Sequence, residues 1–186
     1  STFKLASLMA VLDDKYIDTS TVVDTERGRI YVNNRKVEDS KHGGYGEISA
    51  ARVFEVSSNV GIVKLIRKHY DDKPEKFLKH LKEYGLTEKI GLPIKGEGKP
   101  TFYYPGKPGW SKISLEWMSW GYGIAITPLQ TLTLYNAVAN NGVMVKPQFI
   151  KELRKENRIK KTVKTEILNP QIASPETIKK LKKVLE

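Results

Sequence analysis

Residues 1–12 have the sequence STFKLASLMAVL, in which only four of the twelve side chains are polar. A helix of this composition carries apolar residues on nearly all of its faces, so its burial needs neighbours on every side. We therefore predict a helix from Thr2 to Leu12 at the centre of the protein.

Lys4 is the unusual residue in this stretch, because it follows Ser1 by one helical turn and faces the same side. A serine at a helix N-terminus is usually followed three residues later by Glu or Gln. A lysine there is repelled by the partial positive charge of the helix end and desolvated by its apolar neighbours, and both effects favour the neutral amine. A neutral amine beside a serine is a general base beside a nucleophile. Ser-x-x-Lys is a short pattern, however, and a capping Ser1 with Lys4 extended to water is the alternative.

A second polar feature, Ser57-Ser58-Asn59, separates two stretches with helical periodicity, Ile48–Val56 and Val60–Tyr70. A hydroxyl and a carboxamide two positions apart can face one cleft from such a turn, the first to relay a proton and the second to hold an amide. Ser and Asn are also ordinary capping residues, so a purely structural role is the alternative.

The remaining sequence predicts further elements around these two features. Helices are expected from Pro74 to Gly85, from Thr127-Pro128 to residue 140, and from Ser174 onward. A hairpin is expected around residues 29–34 and a strand after Val143, whereas the Gly- and Pro-rich stretch 85–111 is expected to be mostly loop.

Composition excludes several classes of protein. The 186 residues are 39% hydrophobic, enough for one domain or at most two small ones. The chain has no cysteine, which excludes disulfides, thiolate nucleophiles and cysteine-based zinc sites, and its three histidines are scattered. We therefore expect no metal and no cofactor. The longest apolar stretch, Leu5–Leu12, is far shorter than the roughly 18 to 20 residues that cross a bilayer.

The net charge of +11 is concentrated near the C-terminus. Residues 151–186 contain eleven Lys or Arg and five Glu, but no aromatic side chain that could stack on bases; Phe149 lies just before this stretch. We interpret this stretch as a solvated basic face rather than as a nucleic-acid site.

Ser-x-x-Lys followed some 55 residues later by Ser-x-Asn is the pattern of the penicillin-recognising serine enzymes. The chain resembles the transpeptidase domain of class B penicillin-binding proteins over nearly its whole length, through STFK, HGGYGEIS, FEVSSNVGIVKL, EYGLTEKIGLPIKGE and SWGYGIAITPLQTLTLYNAVANNGVMVKP. Ser-Ser-Asn followed by Val-Gly is more similar to the division-type enzymes than to the elongation-type. The resemblance implies a mainly α chain with small β elements, the helical part of a β-lactamase/transpeptidase-like α/β fold, with the central sheet largely missing.

The resemblance also implies a role for each motif residue. Ser1 would be the nucleophile that attacks the D-Ala-D-Ala amide of a peptidoglycan stem peptide, and Lys4 would be its base. Ser57 would pass the proton to the leaving nitrogen, and Asn59 would bind the acyl side of the substrate. β-Lactams would mimic the substrate and leave a stalled acyl-serine.

The third motif of this family, Lys-(Ser/Thr)-Gly, is absent from residues 1–186. Lys161-Thr162 is followed by Val163, and Lys164-Thr165 by Glu166. We therefore expect a partial transpeptidase domain that is inactive alone and belongs to a longer protein. By the resemblance, that protein lies at the extracytoplasmic face of a bacterial cytoplasmic membrane, held by an N-terminal helix outside this chain, and works with cell-division membrane proteins.

Two alternatives stay open at this point. A serine β-lactamase or a penicillin-sensing domain would share the first two motifs, although the glutamate loop of a class A β-lactamase is not identifiable here. A non-catalytic basic scaffold would use Ser1 and Ser57 only as helix caps.

Overall fold

The computed structural model describes residues 2–156 and 158–186. Within these ranges the chain forms seven helices and four two-stranded antiparallel sheets. The helices are α1 (Lys4–Asp13), α2 (Ala50–Glu55), α3 (Asn59–Tyr70), α4 (Pro74–Glu83), α5 (Ser114–Ser119), α6 (Pro128–Ala139) and α7 (Pro175–Leu185). The strands are β1 (Val22–Asp24), β2 (Arg29–Val32), β3 (Arg35–Glu38), β4 (Glu47–Ser49), β5 (Met144–Val145), β6 (Glu152–Lys155), β7 (Arg158–Thr162) and β8 (Ile167–Asn169). The strand pairs are β1–β4, β2–β3, β5–β8 and β6–β7, which confirms a mainly α fold with small β elements.

Helix α1 forms the centre of the core, as its composition predicts. Every residue from Lys4 to Leu12 is buried, and the helix contacts α2, α3, α4 and α7. Burial on all sides follows from the apolar character of nearly every position, since each apolar side chain removed from water stabilises the fold. The helix begins two residues later than predicted, because Thr2 and Phe3 form a turn in front of it.

Helices α2 and α3 meet at the polar break between them, which is also as predicted. The side chain of Ser49 caps α2 by accepting from the backbone N–H of Arg52, and Ser58 caps α3 by accepting from Gly61. Between the two helices Ser57 has φ of +56°, in the left-handed region. Ser57 therefore lies in the turn between the two helices, two residues before α3 begins.

The β2–β3 hairpin lies against the first turns of α3. Its two turn residues, Asn33 and Asn34, both have positive φ, the geometry that matches the right-handed twist of paired strands. Val32 and Val37 of the hairpin are buried together with side chains of α3. This packing fixes the end of β3 beside the N-terminus of α3.

The three remaining predicted helices are confirmed. Each of α4, α6 and α7 begins with a proline, and α6 has a full capping box between Thr127 and Gln130. Helix α5 and the pairing of β6 with β7 were not predicted. Across the residues that the structure describes, no helix combines the length and the apolar character needed to span a membrane.

Candidate active site

Lys4 is one of two charged residues, with Glu116, that are only 1% exposed among the residues that the structure describes. Lys4 is the first residue of α1. Its Nζ donates to the hydroxyl of Ser57 at 2.8 Å and also to the carbonyl oxygen of Ser57. The fold therefore joins the lysine of the first motif to the serine that opens the second, across 53 residues of chain.

Burial changes the acidity of this amine. Loss of hydration lowers the pKa of Lys4 from 10.5 to about 8, while the negative charge of Asp39 acts in the opposite direction. The sequence predicted this direction from the apolar neighbours of Lys4. With a pKa near 8, a useful fraction of the amine is neutral at physiological pH, as a general base requires.

Ser57 is held in an uncommon backbone conformation. Its φ of +56° is unfavourable for a residue with a Cβ atom, typically by about 1 kcal/mol or more. Backbone hydrogen bonds from Ser57 to Phe54 and from Ser58 to Val53, both 2.9 Å, close the end of α2 around it. The conformation directs both the carbonyl and the hydroxyl of Ser57 toward Lys4.

Asn59 begins α3 and is half-buried. Its side-chain amide donates to the carbonyl oxygen of Glu38 at 2.8 Å, so one N–H of the carboxamide is used to attach β3 to α3. The structure thus places Asn59 within two residues of Ser57 but gives its amide nitrogen a structural contact.

Ser1 lies outside the described residues, and its predicted role stays a prediction. The next residue, Thr2, contacts α6. The carbonyl oxygen of Thr2 accepts from the hydroxyl of Tyr135 on α6 at 3.0 Å. An open cavity of about 500 Å³ borders Thr2 and Phe3, and its other side is formed by Gly121, Ile124, Ala125, Ile126, Pro128 and Thr131. The segment from Gly121 to Ile126, which leads into α6, therefore forms one wall of this cavity, beside the first motif.

Sequence reasoning missed Asp39, which is 5% exposed and lies directly under the second motif. One carboxylate oxygen accepts from the backbone N–H groups of Asn59 and Val60, at 2.6 and 3.0 Å, and the other accepts from the hydroxyl of Ser58 at 2.8 Å. No local pattern marks Asp39, because its partners lie about twenty residues further along the chain. The described ranges contain no group of three or more His, Asp or Glu side chains that could hold a metal ion.

A family model described as "Penicillin binding protein transpeptidase domain" matches residues 1–186. The chain belongs to the penicillin-binding protein transpeptidase domain family. The resemblance inferred from the two motifs is confirmed.

Relatives of this transpeptidase domain include two curated proteins with similar sequences. Stage V sporulation protein D of Bacillus subtilis is 29% identical over 188 residues, which cover 100% of this chain and 28% of that protein. Peptidoglycan D,D-transpeptidase FtsI of Escherichia coli is 29% identical over 143 residues, which cover 77% of this chain and 23% of that protein. The chain therefore spans about a quarter of the length of these relatives.

Solved structures show the same fold for the transpeptidase domain. Penicillin binding protein 3 of Mycobacterium tuberculosis, solved in complex with aztreonam, aligns with a TM-score of 0.80 at 25% identity. The alignment covers 100% of this chain and 40% of that one. The predicted fold class, the helical part of a transpeptidase-like α/β fold, is thereby confirmed.

Proposed function

We propose that the protein is a serine-type peptidoglycan D,D-transpeptidase, which cross-links stem peptides through an acyl-enzyme on Ser1. The observation that carries the proposal is the buried Lys4, with a pKa lowered to about 8 and an amine 2.8 Å from the hydroxyl of Ser57. Membership of the transpeptidase domain family and the names of the relatives support the same reaction.

In the proposed first step, the Ser1 hydroxyl attacks the carbonyl carbon of the D-Ala-D-Ala amide while neutral Lys4 takes its proton. The tetrahedral intermediate then collapses and its C–N bond breaks. Ser57, which contacts the Lys4 amine, passes the proton to the leaving nitrogen, so D-alanine departs with a neutral amine and Ser1 keeps the acyl group.

In the second step, the amine of a neighbouring stem peptide attacks the acyl-serine and forms the new amide bond. Its proton passes by way of Lys4 to the Ser1 oxygen as the ester C–O bond breaks, which restores the Ser1 hydroxyl. Asn59 would hydrogen-bond the acyl side of the substrate through its carboxamide oxygen or its second N–H, because its other N–H donates to the carbonyl oxygen of Glu38. The backbone N–H of Ser1 would supply one oxyanion donor, aided by the helix N-terminus that follows it in the sequence.

β-Lactams are the proposed inhibitors, since they present a strained amide to the same nucleophile. The aztreonam complex of the mycobacterial relative supports this part of the proposal. We place the full-length protein at the extracytoplasmic face of a bacterial cytoplasmic membrane and propose cell-division membrane proteins as its partners, in keeping with the FtsI-named relatives.

Labelling by a fluorescent penicillin tests the proposal in the full-length protein. We expect one adduct, located on the Ser1 peptide by mass spectrometry and lost in Ser1→Ala, while the exposed control Ser20→Ala labels normally. Persistence of the adduct for hours indicates a transpeptidase, whereas turnover in seconds indicates a β-lactamase. Retention of the label in Ser1→Ala would overturn the proposal.

The same labelling applied to residues 1–186 alone tests a narrower proposal. Since Lys-(Ser/Thr)-Gly is absent from this chain, we expect the isolated chain to form no stable adduct. Stoichiometric labelling of Ser1 in the isolated chain would show that the first two motifs are sufficient.

A further inference from the structure

The buried carboxylate of Asp39 accepts hydrogen bonds from three consecutive residues of the second motif. They come from the hydroxyl of Ser58 and the backbone N–H groups of Asn59 and Val60, at 2.6 to 3.0 Å. Hydrogen bonds to an ionised acceptor are stronger than neutral ones, and a negative charge is favourable at the N-terminus of α3. Asp39 therefore fixes the first turn of the helix that follows Ser57.

Asp39 is itself held from the opposite side. Its backbone N–H donates to the carbonyl oxygen of Gly28 at 2.8 Å, and the β2–β3 hairpin that precedes it packs on α3. The backbones of Gly28 and Gly44 meet so closely that a Cβ atom on Gly44 would lie 2.1 Å from the nitrogen of Gly28. This packing fixes the position of the Asp39 carboxylate, and the hydrogen bonds to the carboxylate in turn fix the position of the second motif.

These hydrogen bonds also restrain Ser57, which directly precedes the three residues that donate to Asp39. Its left-handed backbone is unfavourable for serine, so the conformation persists only where the surroundings impose it. Asp39 anchors the chain on the C-terminal side of Ser57, and the end of α2 anchors it on the other side. Without the carboxylate, the turn is expected to relax and to move the Ser57 hydroxyl away from Lys4.

Asp39 also acts on Lys4 through its charge. Among the described residues, it is the charged group that raises the pKa of Lys4 against the effect of burial, while the polar contacts of the amine come from Ser57. Loss of that charge is expected to lower the pKa of Lys4 below about 8.

We infer that Asp39 is a positioning residue of the transpeptidase reaction, which clamps the second motif so that Ser57 faces Lys4. The inference rests on the proposed function, since Lys4 and Ser57 handle the proton in that reaction. In this role Asp39 acts through the residues of the second motif, to which it is hydrogen-bonded.

The test uses the full-length protein and the acylation rate with a β-lactam, measured from pH 6 to 10. Asp39→Asn keeps the size of the side chain and removes its charge. We expect acylation at pH 8 to fall at least about tenfold and the midpoint of its pH dependence to move to lower pH. The exposed control Asp72→Asn is expected to keep both the rate and the midpoint.

Asp39→Glu separates position from charge and serves as the second variant if Asp39→Asn does not fold. It keeps the negative charge but moves the carboxylate by one methylene, so the rate should fall while the midpoint stays near the wild-type value. Wild-type rates and midpoints in either folded variant, even with a lowered melting temperature, would overturn the inference and leave Asp39 a purely structural residue. Failure of the wild-type protein to be acylated on Ser1 would overturn the proposed function itself and this inference with it.

Discussion

Two regions of the molecule hold lysines in opposite settings. In the motif corner, formed by Lys4, Asp39 and Ser57–Asn59, the lysine is 1% exposed and donates to a hydroxyl and a carbonyl. In the basic hairpin, formed by β6 and β7, all five residues of β7 are exposed and the Arg154–Glu152 ion pair lies at the surface. Burial shifts the pKa of the first lysine, whereas water surrounds the side chains of β7.

The contrast shows that the pKa of a lysine here depends on its desolvation rather than on the density of charge around it. Exposed ion pairs contribute about 0 to 1 kcal/mol each, because water screens them. The pKa of a buried amine is changed far more by its surroundings, as for Lys4. The net charge of +11 therefore says little about the function, although it dominates the composition.

The largest expected effect is the loss of the buried amine. Lys4→Met keeps the length of the side chain but has no base, so acylation of the full-length protein by a β-lactam should fall by about 10³-fold. The exposed control Lys160→Met, in the basic hairpin, should stay within twofold of wild type. A Lys4→Met rate within tenfold of wild type would remove the distinction between the two regions.

Lys4→Met should not lower the stability of the protein, although it lowers the acylation rate. Because the pKa of Lys4 is lowered on folding, the folded state binds fewer protons, and stability rises as the pH increases from about 8 to 10.5. Below pH 8 the buried charge of Lys4 costs about 3 kcal/mol, a net value in which the charge of Asp39 already offsets part of the lost hydration. Thermal unfolding of the full-length protein should show that Lys4→Met is at least as stable as wild type at pH 7. As the pH rises above 8, the variant should gain less stability than wild type. A clear loss of stability at pH 7 would contradict this.

The next effect separates two adjacent serines within the motif corner. Ser57→Ala removes the proposed relay and should lower acylation about 10²-fold with little change in melting temperature. Ser58→Ala removes a buried helix cap and a partner of Asp39, so it should cost about 1 to 2 kcal/mol of stability. Equal effects of both variants on rate and stability would show that the two hydroxyls share one role.

Gly61→Ala tests the packing under the motif corner. A Cβ atom on Gly61 would lie 2.6 Å from the side chain of Val53 and 3.2 Å from the hydroxyl of Ser58. We expect a loss of about 1 to 3 kcal/mol by overpacking, measured by thermal unfolding. Adding Val53→Ala to the Gly61→Ala variant should restore part of the stability, because it makes room for the new methyl group. If it restores none, the strain does not arise from the contact with Val53.

The smallest effects are expected in the basic hairpin. Lys155→Gln, Lys160→Gln and Lys161→Gln should each change stability by less than about 0.5 kcal/mol and leave acylation within twofold of wild type. A larger fall in acylation would mean that the hairpin takes part in the reaction, contrary to the comparison above.

Much of the helical fold could be predicted because its signals are local. Helix α1 is apolar on nearly every face, and α4, α6 and α7 each begin with a proline at the position that tolerates it. The burial of Lys4 followed from the same local pattern. Ser57 and Asn59 could be selected because they lie in a polar break between two apolar helices.

The remaining features depend on contacts that the local sequence does not reveal. In the sequence Asp39 resembles any charged loop residue. Its role depends on contacts with the first residues of α3, which lie some twenty residues further along the chain. The five residues of β7 are all exposed, so they lack the alternation that predicts a strand with one buried face. Helix α5 has only six residues, too few to show a helical period.

The pH dependence of Ser1 acylation in the full-length protein tests the central claim, that a buried Lys4 acts as a neutral base. The account predicts a rate that rises about tenfold per pH unit below pH 8 and levels off above it, with this rise absent in Lys4→Met. A rate that is constant between pH 6 and 9, or an unchanged profile in Lys4→Met, would contradict it.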